Sequence, residues 1–89
     1  MIKITYSPVF QRKCKKLFKN IPSRQAAFQQ KISLFLQNQF YPQLYTHKLS
    51  ENLKEFYFFS IEYNLRMIFY FASEKEVVFD NIGSHDEVY

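Results

Sequence analysis

Residues 54–83 read KEFYFFSIEYNLRMIFYFASEKEVVFDNIG, and the period of this stretch decides the fold. Aromatic and branched apolar residues recur every second position, which is the pattern of a β-strand and not of a helix. Three strands are expected, at 54–62, 65–71 and 76–82. Tyr63 and Asn64 make a tight link between the first two, and residues 72–75 join the second to the third. Links this short connect antiparallel neighbours. Gly83, the one glycine of the chain, ends the last strand. Phe56, Phe58, Phe59, Phe69, Phe71 and Phe79 fall in both strand phases, so apolar side chains are expected on both faces of the sheet.

Upstream the period changes. Residues 40–50 (FYPQLYTHKLS) have no clean period and read as a loop. Before them, Phe28, Ile32, Phe35 and Leu36 follow helical spacing through about Gln39. Phe10, Cys14, Leu17 and Phe18 do the same through about Lys19. Ser7 and Pro8 form a helix start, with Ser as N-cap and Pro where its missing N–H costs nothing. The segment Asn20-Ile21-Pro22-Ser23 ends the first helix and begins the second. Ile2 to Tyr6 alternate and read as a strand. The order is β-α-α-β-β-β, an α+β fold in which a helical hairpin packs on one face of an antiparallel sheet. One domain spanning 1–89 is expected, because 89 residues leave no room for a second. Helices on one face leave the other to be explained, and an apolar sheet face of that kind usually binds something.

Charge divides the chain. Residues 1–50 carry nine Lys and Arg and no acid, while residues 51–89 carry three against eight acids. A half of one sign produces a basic face. Such a face suits a polyanion, either nucleic acid or an acidic protein segment, or serves only as a solvated surface. No window approaches the ~18 consecutive apolar residues of a membrane span, and the N-terminus lacks the pattern of a signal peptide. A single Cys permits no internal disulfide. A cytoplasmic protein without membrane contact is therefore expected.

With that order in place, the chain resembles the RelE/ParE superfamily of bacterial toxins from toxin–antitoxin systems. The resemblance spans essentially the whole sequence. It rests on the basic helical hairpin, on His47-Lys48-Leu49 with Leu53-Lys54, on the strand NLRMIFY at 64–70, and on the ending IGSHDEVY at 82–89. That ending is the most specific mark and resembles the RelE and YafQ branches. The resemblance implies an endoribonuclease that cleaves messenger RNA at the ribosome, held in a heteromeric complex by a cognate antitoxin. The ParE branch carries gyrase inhibitors on the same fold, and an inactive homologue that only binds RNA or a partner is a third possibility. Ser60 and Asn64 stand where YafQ-like members use a second His and an Asp. Lys54 and Arg66 follow the RelE-like habit of relying on cations. The site thus resembles a form between the two branches.

Cleavage of RNA by side chains alone has three tasks. A base takes the 2′-hydroxyl proton, a cation stabilises the phosphorane, and an acid protonates the leaving 5′-oxygen. Histidine is the side-chain type whose ordinary pKa suits either proton task near neutrality, and the chain has two, His47 and His85. His85 lies in a polar turn after Gly83, beside Asp86, and matches the family's functional tail. His47 lies in the loop, and is either catalytic or a surface His. Arg66 is a lone cation in an apolar strand. It either snorkels from an edge, pairs with Glu62 across the hairpin, or stands on the second sheet face and grips the scissile phosphate. Tyr89 is expected either to stack on a base or donate a hydrogen bond, or to fray as a terminal residue. Lys48 and Lys54 are expected to touch phosphate, and Lys13, Lys15 and Lys16 to hold the target. No metal and no cofactor are expected. Cys14 lies on the buried helix face, and one Gly allows no phosphate-binding loop.

Overall fold

The computed structural model describes residues 2–48, 56–62 and 64–84. Strand β1 (Lys3–Tyr6) runs into helix α1 (Pro8–Phe18), helix α2 (Pro22–Gln37), a 3-10 turn (Pro42–Leu44) and strands β2 (His47–Lys48), β3 (Phe56–Glu62), β4 (Leu65–Ser73) and β5 (Glu76–Gly83). The strands form one sheet in the order β1-β5-β4-β3-β2.

The helix boundaries follow from local chemistry. The Ser7 side chain accepts a hydrogen bond from the Phe10 N–H at 3.0 Å, and its hydroxyl donates to the Asp80 carbonyl at 2.7 Å. The cap of α1 is thereby fastened to β5. Asn20, with φ of 60°, closes the far end of α1 in the left-handed region that Asn tolerates. Pro22 then begins α2. Asn64, with φ of 64°, serves the β3–β4 link in the same way. The single glycine is spared that duty, since no glycine has positive φ.

The hairpin of helices covers one face of the sheet, and the core lies between. Phe35 is fully buried and meets Phe59, Phe69 and Phe79 at ring centroid distances of 5.1, 5.0 and 5.4 Å. Phe10 reaches Phe79 from α1 at 5.6 Å. Burying a side chain of this size stabilises the fold by ~1.5–3 kcal/mol.

Four details depart from the sequence expectation. The sheet is antiparallel except at one edge, where β1 runs parallel to β5. The helical hairpin carries the chain away after β1, so a tight turn does not dictate its pairing. The segment at 40–50 is more than a loop. Leu44 is fully buried on its 3-10 turn, and His47 and Lys48 pair with Phe58 and Tyr57. Side chains hold this segment in place of a regular period: Thr46 donates to the Gln39 carbonyl at 2.7 Å, and Lys31 to the Gln43 carbonyl at 2.9 Å. Leu36, expected on the buried stripe of α2, is 44% exposed. Finally, β4 extends to Ser73, which leaves Glu74 and Lys75 as the link to β5.

No helix among the described residues is long and apolar enough to cross a membrane.

Candidate functional site

Strand alternation sorts the residues of β3 and β4 between two faces. Phe59, Ile61, Leu65, Met67 and Phe69 turn toward the helices and are buried in the core. Phe56, Phe58, Ser60, Arg66, Ile68 and Tyr70 take the opposite phase. Register confirms that they share a face, since Phe56 pairs with Tyr70, Phe58 with Ile68 and Ser60 with Arg66. The aromatic residues of this far face are half-buried, and Ile68 beneath them is only 4% exposed. The far face therefore has an apolar floor of its own, as the mixed phases of the sequence predict.

Contacts link two neighbouring register rows on this face. His47 on β2 stands opposite Phe58 on β3, with ring centroids 5.6 Å apart and planes tilted by 37°. The Arg66 guanidinium carbon on β4 lies 4.9 Å from the centroid of the same Phe58 ring, within cation–π range. Gly83 on β5 is the register partner of Arg66. Phe56 and Tyr70, edge to face at 5.5 Å, extend the apolar surface beside these rows.

A bulge in β5 places Gly83 there. Phe69 pairs with Phe79 and Ile68 with Asn81, so Asp80 is an extra residue in the strand. Before the bulge Val77 and Phe79 face the core; after it Ile82 does. Asn81 and Gly83 are thereby set opposite Ile68 and Arg66. A glycine at that position leaves the space beside Arg66 without a side chain.

Arg66 and Glu62 were candidate partners across the hairpin. In the structure Glu62 is held by Arg24 of α2, whose Nε donates to its Oε1 at 2.8 Å. A second Arg24 nitrogen donates to the Leu17 carbonyl at 3.1 Å. Arg24 thus ties both helices to the end of β3. A bulge at Ile61 sets Glu62 opposite Leu65.

The other cations are placed elsewhere. Lys15 and Lys16 are exposed and Lys13 half-buried on α1, which packs on the core side of the sheet. They are separated from the Arg66 row by the sheet itself. Lys48 is exposed on β2 in the phase of Tyr57, opposite to that of His47. Lys54, His85 and Tyr89 lie outside the described residues.

Cys14 is half-buried on α1 and, with Phe10, Phe18 and Phe28, lines a groove of about 360 Å³. Burial pushes its thiol up to about 11. Such a group is a poor nucleophile near neutral pH. Among the described residues no three His, Cys, Asp or Glu side chains cluster as a metal site would require.

Two features escaped the sequence reading. One is the role of Phe58 as the common neighbour of His47 and Arg66; its strand phase gave the face but not the contacts. The other is the Arg24–Glu62 pair, which joins residues 38 positions apart and has no local signal.

Comparison with solved structures places this arrangement in a known architecture. The chain superposes on the metal-bound toxin from Helicobacter pylori with a TM-score of 0.80 at 22% identity, covering all of both chains. It matches the DinJ–YafQ complex from E. coli with a TM-score of 0.69 at 18% identity, over 100% of this chain and 99% of that one. A heterotetrameric YoeB–YefM toxin–antitoxin complex from Staphylococcus aureus matches with a TM-score of 0.76 at 17% identity, over 96% and 98%. No family model and no curated protein matches the sequence. The likeness is one of fold: the chain has the RelE-like α+β toxin fold along essentially its whole length.

Proposed function

We propose that this protein is the toxin of a toxin–antitoxin pair and acts as an endoribonuclease on messenger RNA at the ribosome. The observation that carries the reading is that His47 and Arg66 each contact the Phe58 ring on the far face, with Gly83 opposite Arg66. It sets a guanidinium and an imidazole on one apolar surface of a fold that solved toxins share.

In this mechanism Arg66 binds the scissile phosphate and stabilises the charge that develops on its oxygens. The 2′-hydroxyl attacks phosphorus as a base takes its proton. The bond to the 5′-oxygen breaks, and an acid protonates that oxygen. The products are a 2′,3′-cyclic phosphate and a free 5′-hydroxyl. His85 and His47 share the two proton roles. His85 follows Gly83 by two residues, a tether of under about 8 Å. Tyr89 stacks on a neighbouring base or donates to the phosphate. Lys48 and Lys54 hold flanking phosphates, and Lys13, Lys15 and Lys16 engage the larger target. The whole chain acts as one domain in the cytoplasm.

The partner in this reading is an antitoxin whose binding segment is acidic and amphipathic, since residues 1–50 contribute nine cations and no acid. Toxin–antitoxin complexes among the structural neighbours support it.

Primer extension on messenger RNA after brief induction tests the activity, beside a supercoiling assay with gyrase. New 5′ ends within coding sequence are expected. Intact messenger RNA with inhibited gyrase would transfer the protein to the gyrase-directed reading, and neither effect would leave only a binding role.

A further inference from the structure

We infer that Ser7 is a positioning residue of this site: its hydroxyl pins the β5 bulge at Asp80 and so holds the end of β5 against Ile68 and Arg66. The catalytic consequence rests on the ribonuclease reading; the pinning itself does not.

Strand β5 is held unequally along its length. From Glu76 to Phe79 it lies between two neighbours, β1 on one side and β4 on the other. The β1 register ends with Tyr6 opposite Phe79, and the Ser7 N–H donates to the Phe79 carbonyl at 3.0 Å. There the chain turns into α1. From Asn81 to Gly83, β5 pairs with β4 alone among the described residues. The Ile82 N–H donates to Oδ1 of the adjacent Asn81 at 2.9 Å, a side chain standing where a third strand would offer a carbonyl.

Asp80 joins the two halves. As the extra residue of the bulge it has no register partner on β4. Its carbonyl accepts from the Ser7 hydroxyl at 2.7 Å, in a part-buried contact between residues 73 positions apart. The same Ser7 oxygen accepts from the Phe10 N–H at 3.0 Å. One hydroxyl thus caps α1 with a lone pair and holds the bulge with its proton. A helix cap needs only the acceptor, which Asp supplies as well as Ser. The donated bond goes to the bulge.

The core demands a bulge but does not place it. Phe79 and Ile82 are both fully buried, and their odd spacing requires one extra residue between them. A bulge one residue later would satisfy the core equally. It would pair Asp80 with Ile68 and displace Asn81, whose Oδ1 holds the Ile82 N–H. The Ser7 hydroxyl selects Asp80 and steadies the three residues that follow, of which Gly83 faces Arg66.

The test separates the two bonds of Ser7. Ser7→Asp keeps the acceptor for α1 and lacks the donor for Asp80; Ser7→Thr keeps both. Ser7→Gly removes the hydroxyl without adding charge and remains a tolerated cap. Amide hydrogen exchange of the RNA-free protein is the structural readout, and cleavage of ribosome-bound messenger RNA the functional one. In Ser7→Asp and Ser7→Gly, the amides of residues 81–83 should exchange roughly 3- to 10-fold faster, the effect of one hydrogen bond. Those of α1 should stay protected in Ser7→Asp. In both variants kcat should fall on the order of 10- to 100-fold, as a misplaced site produces, with KM changed much less. Ser7→Thr should match the wild type in both readouts. Wild-type exchange at 81–83 in Ser7→Asp and Ser7→Gly would overturn the inference. So would faster exchange with unchanged kcat, or a Ser7→Thr protein as impaired as Ser7→Asp. If the wild-type protein cleaves no RNA, the ribonuclease reading fails by itself, and amide exchange then decides whether the hydroxyl pins the bulge.

Discussion

At the scale of the residue, three side chains carry separable expectations. His85→Ala should cut RNA cleavage by ~10²–10⁴-fold, the usual cost of losing an acid or base, and relieve growth arrest. Undiminished cleavage by the folded variant would remove His85 from the mechanism. Arg66→Lys should recover only part of the activity lost in Arg66→Ala, because an ammonium cannot hold two phosphate oxygens as a guanidinium does; single-turnover cleavage rates measure the difference. Cys14 makes a prediction about pH. Its thiol ionises near 11 in the folded chain against 9.0 for an ordinary thiol. The unfolded state therefore releases the proton first, and this group's contribution leaves stability unchanged below pH 9 and lowers it between 9 and 11. Alkylation by iodoacetamide at pH 8 should be far slower in the native protein than in the denatured one. Equal rates would show a thiol that is neither buried nor shifted.

At the scale of the element, period and punctuation made most of the fold legible. The alternation in 56–62 and 65–83 and the Ser7-Pro8 and Pro22 helix starts correspond to elements in the structure. What stayed hidden depends on contacts that sequence spacing does not encode. Two residues, His47 and Lys48, are too few to show a period, so β2 has no signature in the sequence. The bulge at Asp80 shifts the phase of β5, and only the register reveals that Gly83 stands opposite Arg66. The side of the sheet that receives β1 is set by where the helical hairpin deposits the chain. Of the candidate site, the pairing of chemistry with face was legible for Arg66. The contact of His47 with Phe58, the ring that Arg66 also meets, depends on β2 and was not. The 3-10 turn that leads into β2 is anchored by Leu44, fully buried against the core. Leu44→Ala should cost about 2–5 kcal/mol, read as a lower denaturant midpoint. A shift under about 0.5 kcal/mol, typical of surface changes, would mean that the turn is not held by this side chain.

At the scale of the whole molecule, the residues proposed for affinity and those proposed for chemistry lie on opposite sides of one sheet. Lys13, Lys15 and Lys16 lie with α1 on the helix side, while His47, Phe58 and Arg66 occupy the far face. A short RNA lying on the far face does not reach α1. A partner the size of a ribosome reaches both. Replacing the three lysines together by Gln should therefore weaken ribosome binding and flatten its salt dependence, since each lost phosphate contact removes a counterion-release term. Cleavage at saturating ribosome concentration should be spared. An unchanged salt slope would assign these lysines to solvation alone.

The central claim is that the far face, through Arg66, cleaves RNA by attack of the 2′-hydroxyl. Mass spectrometry of the fragments made by the purified protein on programmed ribosomes tests it most directly. The account predicts fragments ending in a 2′,3′-cyclic phosphate with 5′-hydroxyl partners, formed by the wild-type protein and strongly reduced with folded Arg66→Ala. Fragments bearing 5′-phosphates, or equal yields from the two proteins, would contradict it.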